Sequence, residues 1–237
     1  MNISEMHQFF KLELDKTAAL SLPSFEPEEI DYWLNMAIRR FVKNHFTGTA
    51  NGFGFEQNIK RLEDLKTLIV EAIYTSANIA TTLDDPAIRE NSHVVDLSDI
   101  EPYRWFMLQD EAEITYTSLT GAVEVKLQGV TQCTLDTYRS HIDDPYSEHR
   151  LHYECAKPLR LLINSNVELV EDGNYEVTGY RLRFLRAPAI VSLDLAEDTD
   201  LPEHTHDEIV KNAASMALEN IEAPRYQTHQ YELNKVE

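Results

Sequence analysis

Apolar positions along the first 85 residues recur at steps of three and four. Ser4 is placed to cap a short helix from Glu5 to Leu20, with Phe9, Phe10, Leu12 and Leu14 as its apolar surface. After the loop SLPSF, the run Phe25-Glu26-Pro27-Glu28-Glu29 reads as a second helix start. Proline fits a first turn, and carboxylates favour the positive end of the helix dipole. Ile30, Leu34, Ala37, Ile38, Phe41 and Val42 then define one face, extended by Trp33 and Phe46. TGTANGFGF is a connection. A third helix is expected from Glu56 to Ile79, with Ile59, Leu62, Leu65, Ile69, Ala72 and Ile73 as its buried stripe, ended by LDDPAIREN.

From about His93 to Leu195 the period changes to two. Val123, Val125 and Leu127 alternate with Glu124, Lys126 and Gln128. Tyr180, Leu182 and Phe184 alternate with Arg181 and Arg183. WFML, EITYTS, LRLLIN, VELV and AIVSL are further strand candidates, separated by breaks such as EDGN. Many short strands punctuated in this way predict an antiparallel sandwich or barrel. Helical spacing returns after Thr205-His206-Asp207-Glu208, which fits a capping box. Ile209, Val210, Ala213, Ala214, Ala217, Leu218 and Ile221 form its apolar face, and Pro224 stops it.

The expected fold is therefore α+β. A helical N-terminal region (1–85) packs with a C-terminal helix and extended tail (201–237), and an antiparallel β module (86–200) is inserted between them. Trp33, Leu34, Ile38, Phe41, Leu65, Ile69, Val210 and Leu218 are the expected core of the helical part.

Composition narrows the function classes. The 237 residues are 43% hydrophobic and 26% charged, near the average of globular domains, which argues against a disordered or fibrous chain. No apolar run reaches the ~18 residues of a spanning helix, and no membrane partner is expected. MNISEMHQFFKLELDK has neither the basic start nor the apolar run of a signal peptide. The net charge is −20, and no Lys/Arg cluster is longer than two, which opposes binding to phosphates through the surface at large. The acidity is uneven: residues 83–200 hold 10 basic and 23 acidic groups, net −13. Two cysteines, Cys133 and Cys155, cannot build a disulfide scaffold, and no phosphate-binding glycine motif occurs.

Several constellations could carry chemistry. His141, Asp143, Asp144, Glu148, His149, His152, Glu154 and Cys155 offer zinc or iron ligands and so the alternative of a metal-dependent enzyme. Their spacing matches no established ligand pattern, and a polar loop explains them equally. His204 and His206 straddle a helix start, and Asp84/Asp85 and Asp143/Asp144 precede prolines as turn formers do. No nucleophile elbow is present. Neither a cofactor nor a catalytic residue is assigned. Arg181, Arg183 and Arg186 form a positive stripe in an acidic region. It either pairs with acids across strands or meets an acidic neighbour. Trp33, Trp105, Phe106 and 11 tyrosines supply interface anchors, and the polar tail with Arg225, Tyr226 and Tyr231 can extend onto a partner. An acidic adaptor that binds basic proteins is a further alternative.

FEPEEIDYWLNMAIRRFVKNHF near the start and LPEHTHDEIVKNAASMALENIEAPRYQT near the end resemble a structural protein of crAss-like bacteriophages and related tailed phages. IDDPYSEH and YRLRFLRAPAIVSL in the middle extend the resemblance over most of the chain. That family is a ring, or head-to-tail connector, component of the virion, and it is not enzymatic. The resemblance implies a homo-oligomeric ring of twelve copies at the virion neck, assembled in the host cytoplasm. It docks on the portal protein and meets other neck, ring and tail proteins, and viral DNA passes its channel without specific binding.

Overall fold

The structure is a computed structural model that describes residues 1–17, 25–47, 59–80, 91–152 and 154–220. The connections expected at SLPSF, TGTANGFGF and LDDPAIREN, and the tail with Ile221, Arg225, Tyr226 and Tyr231, lie wholly or mostly outside the described residues. The chain divides into two compact units. One comprises Met1–Leu68 with Pro188–Glu237, and the other comprises Ile69–Ala187.

The first unit is helical. Helix α1 (Ile3–Thr17) is capped by Asn2 rather than Ser4: the Glu5 amide donates to Asn2 Oδ1 at 2.8 Å, and the Asn2 amide donates to a Glu5 carboxylate oxygen at 3.0 Å. Ile3, Met6, Phe10 and Leu14 are buried, whereas Phe9 and Leu12 face outward. In α2 (Pro27–Thr47) the Glu26 amide donates to the Glu29 carboxylate at 3.0 Å, and Pro27 has no amide to satisfy. Its buried face is Ile30, Leu34, Ala37, Ile38, Phe41 and Val42, as the spacing requires. Trp33 is only half-buried. Helix α3 (Ile59–Leu65) is much shorter than the spacing suggested. After a 3-10 turn at Lys66–Leu68 the chain enters a strand, so Ile69, Ala72 and Ile73 are not helical core positions.

The returning chain then closes this unit. AIVSL is no regular strand. It is an extended strap with a single bridge, Ser192 to Glu197, held by side chains of α2. Asn35 donates to the Val191 carbonyl and accepts from its amide (2.9 and 3.0 Å), while Asp31 accepts from the Leu193 amide at 3.0 Å. Thr205 lies in a 3-10 turn, Glu203–Thr205, and its hydroxyl donates to the Pro202 carbonyl. Helix α4 (Leu135–Asp143) belongs to the second unit, and the last described helix is α5 (His206–Asn220). The alanines at 213, 214 and 217 give α5 a low surface, which lets it pack against both α1 and α2.

The second unit is a sandwich of strands β1 (Ile69–Thr75), β2 (Ile79–Ala80), β3 (Ser92–Asp96), β4 (Arg104–Thr117), β5 (Val123–Gly129), β6 (Thr131–Gln132), β7 (Leu159–Ile163), β8 (Asn166–Val170) and β9 (Glu176–Arg186). One sheet has the order β1-β9-β4-β5 and is antiparallel throughout. The other has the order β2-β3-β8-β7-β6, parallel only between β6 and β7. Tyr74, Ile114, Tyr180, Leu182 and Phe184 of the first sheet pack with Val95, Val167 and Leu169 of the second. The α+β class is thus borne out, with the strands enclosed in sequence by helices.

Leu34 is fully buried, and Tyr32, on the same helix, is 56% exposed. Leu34→Ala is expected to lower the unfolding free energy by about 2–5 kcal/mol. Tyr32→Ala should change it by about 0.5 kcal/mol or less. Urea unfolding followed by circular dichroism measures both.

Candidate protein interface

The four-stranded sheet has two chemically different faces because strand side chains alternate. Inward go Ala112, Ile114 and Tyr116 of β4, and Tyr180, Leu182 and Phe184 of β9. Outward go Arg181 and Arg183. Arg181 lies level with Ile73 of β1 and Glu111 of β4, and Arg183 lies level with Glu71 and Gln109. Both arginines are half-buried, and acids stand in the neighbouring strands at their own rows. Arg186 lies opposite Arg104, which is itself paired with Glu101. Arg181 and Arg183 thus share one outward face, set among acids.

On β5 the outward row is Val123, Val125 and Leu127, exposed by 70%, 61% and 39%. The other row is engaged. The Tyr116 hydroxyl donates to Glu124 at 3.1 Å, and Lys126 and Gln128 both donate to the Glu154 carbonyl at 2.8 and 2.7 Å.

One ionic group inside the sandwich had no signal in the sequence beyond a charge in an apolar strand. Arg160 of β7 donates to Asp110 of β4 at 2.9 Å, and the Tyr180 hydroxyl donates to the same carboxylate at 3.3 Å. Burial raises the Asp110 pKa despite the nearby guanidinium. Burial, followed by the Asp110 charge, raises that of Tyr180 well above the usual phenol range. A cavity of about 400 Å³ lies alongside, lined by Gln109, Asp110, Gln132, Cys133 and Arg160 among others.

The histidines and acids of 141–155 are dispersed. His141 lies in the last turn of α4, a helix capped by Thr134 that packs only Tyr138 and Ile142 against the sandwich. His149 is buried in a 3-10 turn, where its Nδ1 meets the Ser147 hydroxyl at 2.9 Å and its carbonyl accepts from Tyr175 at 3.2 Å. Glu148 pairs with Lys157 at 3.4 Å and accepts from Thr131. His204 and His206 point to different partners, the Asp64 carboxylate at 2.8 Å and the Leu201 carbonyl at 3.0 Å. Among the described residues no three His, Cys, Asp or Glu side chains are grouped to hold a metal ion. Arg225, Tyr226 and Tyr231 lie outside the described residues.

No family model matches the chain. A curated protein does: "Ring protein 4/5" of Bacteroides phage crAss001 is 25% identical over 204 residues, which is 84% of this chain and 78% of that protein. The chain resembles a crAss-like phage ring protein. The resemblance seen in its terminal helices is borne out. The matched length exceeds either structural unit, so the similarity runs through both helices and sandwich. Among the described residues no helix is long and apolar enough to cross a membrane.

Burial, helped by Arg150, lowers the His149 pKa from its ordinary value of 6.5, against an opposing pull from Asp172. The folded imidazole therefore resists protonation while the unfolded one accepts it. Stability is full above pH 6.5 and falls as pH drops below it. Wild-type thermal midpoints should decline from pH 7 toward pH 5. His149→Gln should flatten that part of the curve in a differential scanning experiment; an unchanged slope removes His149 as the cause.

Proposed function

We propose that this protein is a structural subunit of a virion ring in the neck of a crAss-like phage. The observation that carries the reading is the similarity to a named ring protein across most of both chains. The ring docks on the portal protein, joins the capsid to the tail and meets other ring and tail proteins. It has no catalytic step to perform. The polar contacts of 141–155 are those of a packed loop: His149 meets the Ser147 hydroxyl, Glu148 pairs with Lys157, and the Glu154 carbonyl accepts from Lys126, all within one unit.

A rotationally closed ring uses heterologous contacts, so each copy needs two unlike adhesive surfaces. The outward sheet face with Arg181 and Arg183 is one candidate, and Arg186 lies at the end of the same strand. The tail with Arg225, Tyr226 and Tyr231 is another, reaching the portal or a neighbouring ring. Acidic groups of residues 83–200 that face the channel repel phosphates and let DNA pass without sticking.

Electron microscopy of particles labelled on this protein tests the reading. A rotationally symmetric ring at the neck is expected; label on the capsid shell or tail fibres overturns it. Replacing Tyr226 and Tyr231 together by Ala should reduce incorporation into particles, scored by quantitative immunoblot. Undiminished incorporation removes the tail as a contact. Arg181→Gln, which sets no second carboxylate beside Glu111, should likewise weaken assembly while shifting the unfolding midpoint little.

A further inference from the structure

The two outermost strands of the four-stranded sheet are unlike each other and complementary. Both β1 and β5 are seven residues long. Every neighbouring pair in the sheet is antiparallel, and the strand number is even. The two edges therefore run in opposite directions. A second copy related by rotation about a ring axis brings its β1 antiparallel to the first copy's β5. The hydrogen-bonding pattern then continues unbroken from copy to copy.

The side chains point the same way. Natural edge strands are blunted by charge, proline or bulges. The charges of β5, Glu124 and Lys126, lie on its inward row and are engaged by Tyr116 and the Glu154 carbonyl, while its outward row is uncharged, with Val123, Val125 and Leu127 in solvent. On β1 the outward row holds Glu71, Ile73 and Thr75, with Ile73 59% exposed. Joining the edges lays Ile73 of one copy beside the valine row of the next. The register breaks between β4 and β9 are the kind of irregularity by which a sheet bends toward closure.

We propose that β5 of one copy pairs with β1 of the next, so that the four-stranded sheets join edge to edge into one sheet that runs around the ring. The inference rests on the ring reading and names its contact. A two-fold pairing of β5 with β5 would be equally antiparallel but would stop at a dimer, which a ring cannot use.

The test uses the full chain with the exposed Cys155 replaced by Ser; Cys133 is buried. Val125→Cys protein is mixed with Ile73→Cys protein, and separately with Glu71→Cys or Thr75→Cys protein, then oxidised and run on non-reducing gels. One of these mixtures should give covalent dimers roughly tenfold or more above a mixture with Tyr146→Cys, since pairing raises the effective thiol concentration. The double variant of the best pair should give a ladder of higher oligomers. If the wild-type chain assembles and no β1 position exceeds the Tyr146 control, the edge pairing is wrong and the ring reading stands. If Val125→Cys links to itself as well as to any β1 position, the two-fold arrangement replaces the proposal. Val123→Lys with Val125→Lys should abolish assembly, read by sedimentation, with an unchanged unfolding midpoint because both side chains are exposed. Persistent assembly overturns the inference. A wild-type chain that stays monomeric at millimolar concentration overturns the ring reading itself.

Discussion

Because β9 lies between β1 and β4, its backbone groups are committed to two ladders and only its side chains are free to choose a face. Alternation then sorts them without exception over its central stretch. Tyr180, Leu182 and Phe184 enter the core, and Arg181 and Arg183 leave it. A slip of one residue would bury both arginines and expose three large apolar groups. The register of β9 is thereby over-determined, and it fixes the registers of β1 and β4. Everything exposed on this sheet, from the arginine rows to the valines of β5, inherits its position from that choice.

The ionic group between the sheets acts on the same geometry from the other side. Removing Asp110 and Arg160 from water is costly, and their attraction repays it only with good geometry and further hydrogen bonds. The Tyr180 hydroxyl supplies one of these. Burial still leaves the Asp110 pKa raised, so its ionised form is not favoured by the fold. Such a pair adds little net stability. Its effect is selective: β4 and β7 can meet in one relative position that pairs the charges, and in shifted positions they cannot.

Helices with a large apolar face were legible in the sequence. In α2 and α5 the spacing named every buried apolar residue among the described positions, because a stripe at 3.6-residue period has no other use. The stretch 59–79 misled because two periods overlap there. Ile59, Leu62, Leu65, Ile69, Ala72 and Ile73 fit a helix, but Val70, Ala72 and Tyr74 fit one face of a strand, and pairing with β9 decides for the strand. Helix α4 was hard to see because it is short. Its apolar stripe is three residues, Leu135, Tyr138 and Ile142, of which the last two are only partly buried against Cys133, Leu159, Leu161 and Val170, and its Thr134–Thr137 cap lacks the usual acidic partner. Arg181 and Arg183 were correctly placed on one face. Their acidic neighbours Glu71 and Glu111 come from strands far apart in sequence, and only the sheet order brings them level.

The charge of −20 constrains how copies of such a chain can meet. Like charges on neighbouring subunits repel, and salt screens that repulsion beyond about 8 Å at physiological ionic strength. Cohesion must then come from contacts shorter than that range and indifferent to net charge. Backbone ladders and apolar rows meet both conditions, whereas a general electrostatic attraction between identical acidic surfaces does not exist. The outward row of β5 is free of charge along its whole length, in a unit otherwise crowded with carboxylates. A surface kept neutral under that compositional pressure is where an acidic protein can afford to touch itself.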